Sequence, residues 1–269
     1  MGSSKPLAGI SVMVTRPVHQ AAGLCHLIEK GGGRALRFPT LKIEPPKDVD
    51  PVSKVLRSMD QVDWLVFVSV NAVYYAQKAC DNRLNIPRHV KVAAIGTATE
   101  RALRDCGIRG VVVPEGRYDT EAVLGLAEMR HVAGQRFLIV RGQGGRPLLG
   151  DTLIQRGAEV GYAEVYRRCC PSVDIESYLA QWQRHGVDAV TAFSGESLRN
   201  LVIMLGRQGM EWAACVPLIV ISERVAGQAK ANGFKKVVLA ENALDSSLFA
   251  TLCNLFDREG HGIFDGRQQ

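Results

Sequence analysis

The chain has 269 residues, 46% hydrophobic and 22% charged, and 33 Lys and Arg against 27 Asp and Glu leave a net charge of +6. This composition excludes a disordered or fibrous chain and describes one large or two small globular domains with ordinary cores. The positive excess suits an anionic partner without naming one, and it is equally the charge of a solvated surface.

In chain order, short apolar runs alternate with amphipathic ones. The unbroken runs Ile10–Val14, Trp64–Val68, Val90–Ile95, Val111–Val113, Phe137–Val140, Ala189–Phe193, Leu218–Ile221 and Lys236–Leu239 predict strands buried on both faces. Between them, Gln20–Lys30, Asn71–Lys78, Ala98–Asp105, Thr120–Arg130, Leu148–Arg156, Ser197–Leu205, Arg224–Ala231 and Ser246–Phe256 read as helices. Gly31, Gly107, Gly157 and Gly233 stand just past helices, as C-terminal glycines do. Alternating strands and helices predict an α/β fold with parallel sheets. The segments from Arg37 to Pro46 and from Glu164 to Pro171 break the rhythm. Both end at proline, which holds the preceding residue extended, and they are expected to be interdomain connectors. Residues 257–269 are polar and glycine-containing, the composition of a frayed, disordered tail.

The chain also matches itself. With a shift of 126, Ser11-Val12-Met13-Val14 faces Phe137-Leu138-Ile139-Val140, and Val92 to Gly96 faces Leu218 to Ser222. Val111 to Glu115 faces Val237 to Glu241, while Val62 to Ser69 faces Val187 to Ser194 with a shift of 125. The period is too long for a solenoid. It predicts two similar α/β domains of ordinary size from an internal duplication, with a site between them.

Seven cysteines, an odd number without C-x-x-C spacing, predict thiols of a reducing compartment rather than a disulfide framework. The six histidines show no ligand spacing, so no metal site is expected. No signal-peptide pattern opens the sequence and no apolar run approaches the ~18 residues of a membrane span. A cytoplasmic protein without membrane or nucleic-acid partners is expected.

No nucleophile–base arrangement and no P-loop is present. The run from Arg141 to Pro147 hints at a dinucleotide loop, but Pro147 stands where G-x-G-x-x-G needs its last glycine. What recurs is small polar residues directly after strands: Thr15-Arg16-Pro17, Ser69-Val70-Asn71, Gly96-Thr97-Ala98-Thr99, Gly142 to Gly145, Ser194-Gly195-Glu196-Ser197 and Ser222-Glu223-Arg224. Any one of them is equally an ordinary N-cap or turn. Together, at the carboxyl ends of parallel strands, helix N-termini there predict an anion-binding cleft.

These same pieces, with Val165-Tyr166-Arg167-Arg168, resemble in order and spacing the uroporphyrinogen-III synthases of the bacterial type, from Gly9 to Leu252. The resemblance implies a discontinuous division, residues 7–41 plus 170–256 in one domain and 42–169 in the other. The extended segments would run side by side as a two-stranded antiparallel connector. It implies a cofactor-independent monomer that closes hydroxymethylbilane, a linear tetrapyrrole with four acetates and four propionates, with loss of water and inversion of the last pyrrole. Tyr166 is the implied catalytic residue, a phenol able to donate to the departing hydroxyl, or else a packed connector side chain. The expected substrate-binding residues are Arg16, Ser69, Asn71, Gly96, Thr97, Arg141, Gly142, Arg146, Ser194, Gly195, Ser197 and Ser222. The rival readings are a hinged two-domain small-anion binding or regulatory protein without catalysis, and a nucleotide-dependent transferase.

Overall fold

The computed structural model describes residues 5–257; the predicted tail from 258 onward lies outside them. The described chain divides into two units, 5–42 with 169–257, and 43–168.

The first unit carries β1 (Ser11–Val14), α1 (Val18–Lys30) and β2 (Arg34–Arg37). The second carries β3 (Lys42–Glu44), whose first residue falls at the boundary, α2 (Asp50–Arg57), β4 (Trp64–Phe67), α3 (Val70–Ala79), β5 (Lys91–Ala94) and α4 (Thr97–Asp105). It continues with α5 (Thr120–Gly125), a 3-10 turn (Ala127–Met129), β6 (Arg136–Gly142), α6 (Leu148–Gln155) and β7 (Glu159–Cys169). The first unit resumes with α7 (Ile175–His185), β8 (Ala189–Ala192), α8 (Gly195–Ala213), β9 (Leu218–Val220), α9 (Glu223–Ala231), β10 (Val237–Leu239) and α10 (Asp245–Phe256).

Each unit holds one sheet, ordered β10-β9-β8-β1-β2 in the first and β3-β7-β6-β4-β5 in the second. The pairings from β2 to β10 and from β7 to β5 are parallel. Helices cover both faces, which explains the unbroken apolar runs. In β1, Met13 joins the core under α7, α8 and α9, while Val12 and Val14 join the one under α1 and α10. In β6, Leu138 and Val140 meet α3, while Phe137 and Ile139 meet α5 and α6. Side chains on a strand alternate between faces, so a strand covered twice needs apolar residues at every position.

A shift of 126 carries the pairing Ser11↔Arg34 onto Phe137↔Val160, and Ile219↔Val238 onto the bridge Ala93↔Val112. The β8–β9 register Val190↔Leu218 likewise matches Leu65↔Val92 of β4–β5. The central pairs differ by one residue, Val12↔Ala189 against Leu138↔Leu65.

Several elements depart from the sequence reading. The sequence reading lacks helices α2 and α7 and strand β2. Helix α2 is eight residues long and buries only Leu56, and edge strand β2 buries only Leu36. Helix α7 does carry the signal, with Ile175, Tyr178, Leu179 and Trp182 at helical spacing against the core. The predicted helix Thr120–Arg130 is interrupted at Leu126, which is extended (φ −60, ψ 145). Helix α8 runs past Leu205 to Ala213, with a break at Gly206 (φ 60). Gly107, Gly157 and Gly233 take the left-handed conformation expected after helices. After α1, Gly32 (φ 85) takes it instead, and Gly31 is small for another reason: a Cβ there would lie 2.8 Å from the Phe249 ring.

Candidate functional site

In the second unit, the carboxyl ends of β4, β6 and β7 open into a cavity of about 320 Å³. Its lining includes Ser69, Arg141, Gly142, Arg146, Tyr162, Tyr166 and Arg168. The loop Gln143-Gly144-Gly145 closes one side, with Gly144 left-handed (φ 68).

Tyr166 owes its place to an irregularity. Down to Arg141↔Glu164 the β6–β7 ladder is regular; the next pair is Gly142↔Tyr166, so Val165 is an extra residue on β7. An added residue reverses the alternation of the strand. Without it Tyr166 would share a face with Tyr162 and Glu164. With it the ring turns to the opposite face, beside Ala163, Val165 and the α3 side of the core. There it is 2% exposed, its ring centroid 5.9 Å from that of Tyr75. Gly142 makes room, since a Cβ at 142 would lie 2.6 Å from Cζ of Tyr166. The phenolic oxygen sits 3.3 Å from Oγ of Ser69. Ser69 is the N-cap of α3 and accepts from the Ala72 amide at 3.1 Å.

Arg141 forms the cationic wall. Its guanidinium lies 3.9 Å from the centroid of the Tyr162 ring and pairs with Glu164 at 3.0 Å. Only 16% of its side chain is exposed. Gly150 lets Tyr162 approach, since a Cβ there would lie 2.9 Å from Cζ of Tyr162. Arg146 is 70% exposed and pairs with Glu121 at 3.2 Å, a bond that solvent weakens. The lining therefore combines three guanidinium groups, two phenols and a helix N-terminus, which suits a polycarboxylate with apolar rings.

The structure thus brings five sequence-predicted residues together: Ser69, Arg141, Gly142, Arg146 and Tyr166. Gly96 and Thr97 stand nearby at the start of α4, where Gly96 is the N-cap and no side chain caps the helix. A Cβ at Gly96 would lie 3.0 Å from Tyr118 Cβ. Asn71 is the second residue of α3 and does not line the cavity. Tyr162 and Arg168 were missed. A pointer existed for Tyr162, two residues before Glu164 on the same strand face, but only the fold sets it under Arg141.

In the first unit, the predicted residues occupy equivalent strand ends and are largely engaged with their own chain. Arg16 ion-pairs with Asp245, donates to the Ala243 carbonyl and lies 4.1 Å from the Phe193 centroid. Ser194 and Ser197 form a capping box: Ser194 Oγ accepts from the Ser197 amide at 3.0 Å, and Ser197 Oγ accepts from the Ser194 amide at 3.1 Å. Gly195 sits against Gln228, whose Oε1 a Cβ would strike. Ser222 caps α9 through the Val225 amide at 3.4 Å. Between β1 and β8, Thr15 donates to the Thr191 carbonyl at 2.6 Å and Thr191 to the Met13 carbonyl at 3.1 Å. These threonines are fully buried and tie the strand ends together. Among the described residues no group of three or more His, Cys, Asp or Glu could hold a metal ion. None of their helices is long and apolar enough to cross a membrane.

Parallel sheets with a polar cavity outside the strand ends, lined by cations and a buried phenol, are the architecture of an α/β protein that takes a small molecule. The comparisons with known proteins give that class a family. The model described as uroporphyrinogen-III synthase HemD matches residues 23–250. The Escherichia coli uroporphyrinogen-III synthase is 34% identical over 90% of this chain and all of its own length. The Salmonella typhimurium one is 33% identical over the same shares. The chain belongs to the uroporphyrinogen-III synthase family. Solved structures agree in fold: the Helicobacter pylori uroporphyrinogen-III synthetase superposes with TM-score 0.58 at 15% identity, covering 90% of this chain and 98% of its own. A mutant Thermus thermophilus uroporphyrinogen III synthase gives 0.57 at 22%, covering 93% and 100%.

Proposed function

We infer that this chain is a lyase that closes hydroxymethylbilane to uroporphyrinogen III with loss of water, and that the cavity of the second unit holds the reacting end of the substrate. Family membership carries the reaction, and the phenol of Tyr166 at the cavity carries the site. The carbon–oxygen bond of the terminal hydroxymethyl group breaks and its electron pair leaves with oxygen. Tyr166 supplies the proton that makes this oxygen water, while the pyrrole nitrogen lone pair fills the vacancy at carbon. The electrophilic carbon then bonds to the already substituted α carbon of the last pyrrole. The bond from that carbon to its bridging methylene breaks and re-forms at the free α carbon, which inverts the ring. The proton lost from that free carbon as the pyrrole regains aromaticity returns to the phenolate. Holding the chain in the geometry of the inverted closure is an orientation effect, able to supply most of the rate. Arg141, Arg146 and Arg168 are placed to take acetate and propionate groups.

The wider reading rests on the same ground. The matched registers of the two sheets support an internal duplication. The Arg167–Glu44 pair at 2.6 Å supports β3 and β7 as a two-stranded antiparallel connector between domains 7–41 plus 170–256 and 42–169. Asn71, Gly96, Thr97 and the first-unit residues Arg16, Ser194, Gly195, Ser197 and Ser222 complete the proposed binding set, chiefly through backbone N–H groups. The protein is proposed to act as a cytoplasmic monomer, without cofactor, nucleic acid or membrane.

Incubation with enzymatically generated hydroxymethylbilane, followed by chromatography of the oxidised porphyrins, tests the reading. Type III porphyrin is expected. Only the spontaneous type I product would make this protein a binder rather than a catalyst.

A further inference from the structure

We propose that Ser69 is a positioning residue that orients the hydroxyl of Tyr166, donating its own proton to the phenolic oxygen so that the phenol proton points into the cavity. This rests on Tyr166 being the proton donor of the reaction.

The argument is a count of donors and acceptors. A serine hydroxyl has one proton and two lone pairs. One lone pair of Ser69 Oγ is committed to the Ala72 amide at 3.1 Å, as N-cap of α3. The neighbour at 3.3 Å is the Tyr166 oxygen, and geometry alone lets either atom donate. If Tyr166 donated, Ser69 would accept twice, its own proton would go unused here and the phenol proton would be spent on it. If Ser69 donates, every group is used: Ala72 N–H to Ser69, Ser69 to Tyr166, Tyr166 to the leaving hydroxyl. Hydrogen bonds running in one direction along a chain strengthen each other. This chain begins at a helix N-terminus, where the partial positive charge of α3 favours the negative charge that grows on the phenolate as its proton leaves.

The ring has little freedom to take another pose. It is buried, Gly142 receives its edge, and Tyr75 lies alongside, fixed by a 2.7 Å hydrogen bond from its hydroxyl to the Ile43 carbonyl. With the ring fixed, the rotation of the phenolic hydrogen is what remains to be set, and Ser69 is placed to set it.

Three variants of Ser69, each also combined with Tyr166→Phe, separate this from a capping role. Asp is as good an N-cap as Ser but has no proton to give. Ser69→Asp is therefore expected to keep the melting temperature and lower kcat about tenfold or more, while its added charge raises KM by repelling the substrate carboxylates. A lost hydrogen bond to a developing charge is worth about that much. Ser69→Ala is expected to lower kcat similarly, and Ser69→Thr, which keeps cap and hydroxyl, to restore it to within about threefold of wild type. In the Tyr166→Phe background none of the three should lower kcat further. Wild-type kcat in Ser69→Asp overturns the proposal. So does a full Ser69→Ala loss in the Tyr166→Phe background, while Tyr166 itself remains catalytic. Wild-type kcat in Tyr166→Phe alone overturns the underlying reading as well.

Discussion

Gly142 and Tyr166 face each other at the irregular end of the β6–β7 ladder, so close that a methyl group on the glycine would lie 2.6 Å from Cζ of the ring. The glycine is thus part of the tyrosine's seat rather than a phosphate-loop residue. Gly142→Ala is expected to push the ring off its position beside Ser69. Overpacking of this kind costs ~1–3 kcal/mol of stability, while kcat should fall about as far as in Tyr166→Phe. Steady-state kinetics beside thermal melts check this; an alanine variant with wild-type kcat would mean that the ring position does not matter to the reaction.

Tyr166→Phe removes the proton and keeps the ring. General acid assistance is typically worth ~10²–10⁴-fold, and the lower end is expected because a pyrrole-activated hydroxyl departs readily. Thermal stability should hardly move, since the buried surface is unchanged. A melting temperature lowered by many degrees with intact turnover would assign the hydroxyl to the core instead of the chemistry.

Arg16 gives the contrasting case. Its guanidinium is held by Asp245 and stacked on Phe193, and Gly23 leaves the space that Asp245 fills. Arg16→Ala is expected to lower stability by ~1–3 kcal/mol, less than the loss from a fully buried pair because Asp245 keeps 31% of its side-chain exposure. Urea unfolding measures it. A variant of unchanged stability but sharply raised KM would show that the Arg16 side chain, and not only the backbone there, serves the substrate.

The strands that build the site are legible because both faces of each sheet are covered, which leaves continuous apolar runs such as Trp64–Phe67 and Phe137–Val140. Their ends were legible through Ser69 and Ser194, whose hydroxyls cap the helices that follow. Thinly buried elements were not. Helix α2 is only eight residues long, with Leu56 buried and Val52 packed beside it, too short a stretch to set a period. The side-chain constellation was legible only in part. Plain alternation along β7 puts Tyr166 with Tyr162; the extra residue at Val165 turns it to the other face, and no local feature of Val165-Tyr166-Arg167 announces that. Arg16 and Arg141 look alike in sequence, standing two residues past Val14 and one past Val140 at the ends of apolar strand cores. Their different counterions, Asp245 and Glu164, come from distant parts of the chain.

The buried thiols set an alkaline limit. Burial raises the thiols of Cys25, Cys80 and Cys253 above their ordinary value of 9.0. A raised folded value means that the unfolded chain loses these protons first. The associated stability is complete below about pH 9 and is lost as pH rises through the folded values. Urea midpoints should therefore fall from pH 9 upward. At pH 8 a thiol reagent should label exposed Cys106 and Cys215 quickly, and Cys25 and Cys80 only after unfolding. Rapid labelling of Cys25 in the folded protein would show that its site opens to solvent.

Glu164 competes for the cation that the substrate is expected to use. It holds Arg141 at 3.0 Å, and the Tyr162 ring fixes the guanidinium from the other side. A substrate carboxylate arriving at Arg141 meets the negative charge of Glu164 as well as the positive charge of the arginine. Glu164→Gln keeps an acceptor oxygen near Arg141 and removes the repulsion. KM is expected to fall severalfold, more at low ionic strength, where such charges are least screened. The companion variant Arg141→Gln should raise KM about tenfold or more, the worth of one charge-assisted contact, with kcat nearly constant, because it removes binding shared by substrate and transition state. Opposite signs for the two variants, each reduced by added salt, would identify Arg141 as a carboxylate holder. A rise in KM for Glu164→Gln would mean instead that the ion pair is what keeps Arg141 in place, and that the wall of the cavity is built by the pair rather than by the arginine alone.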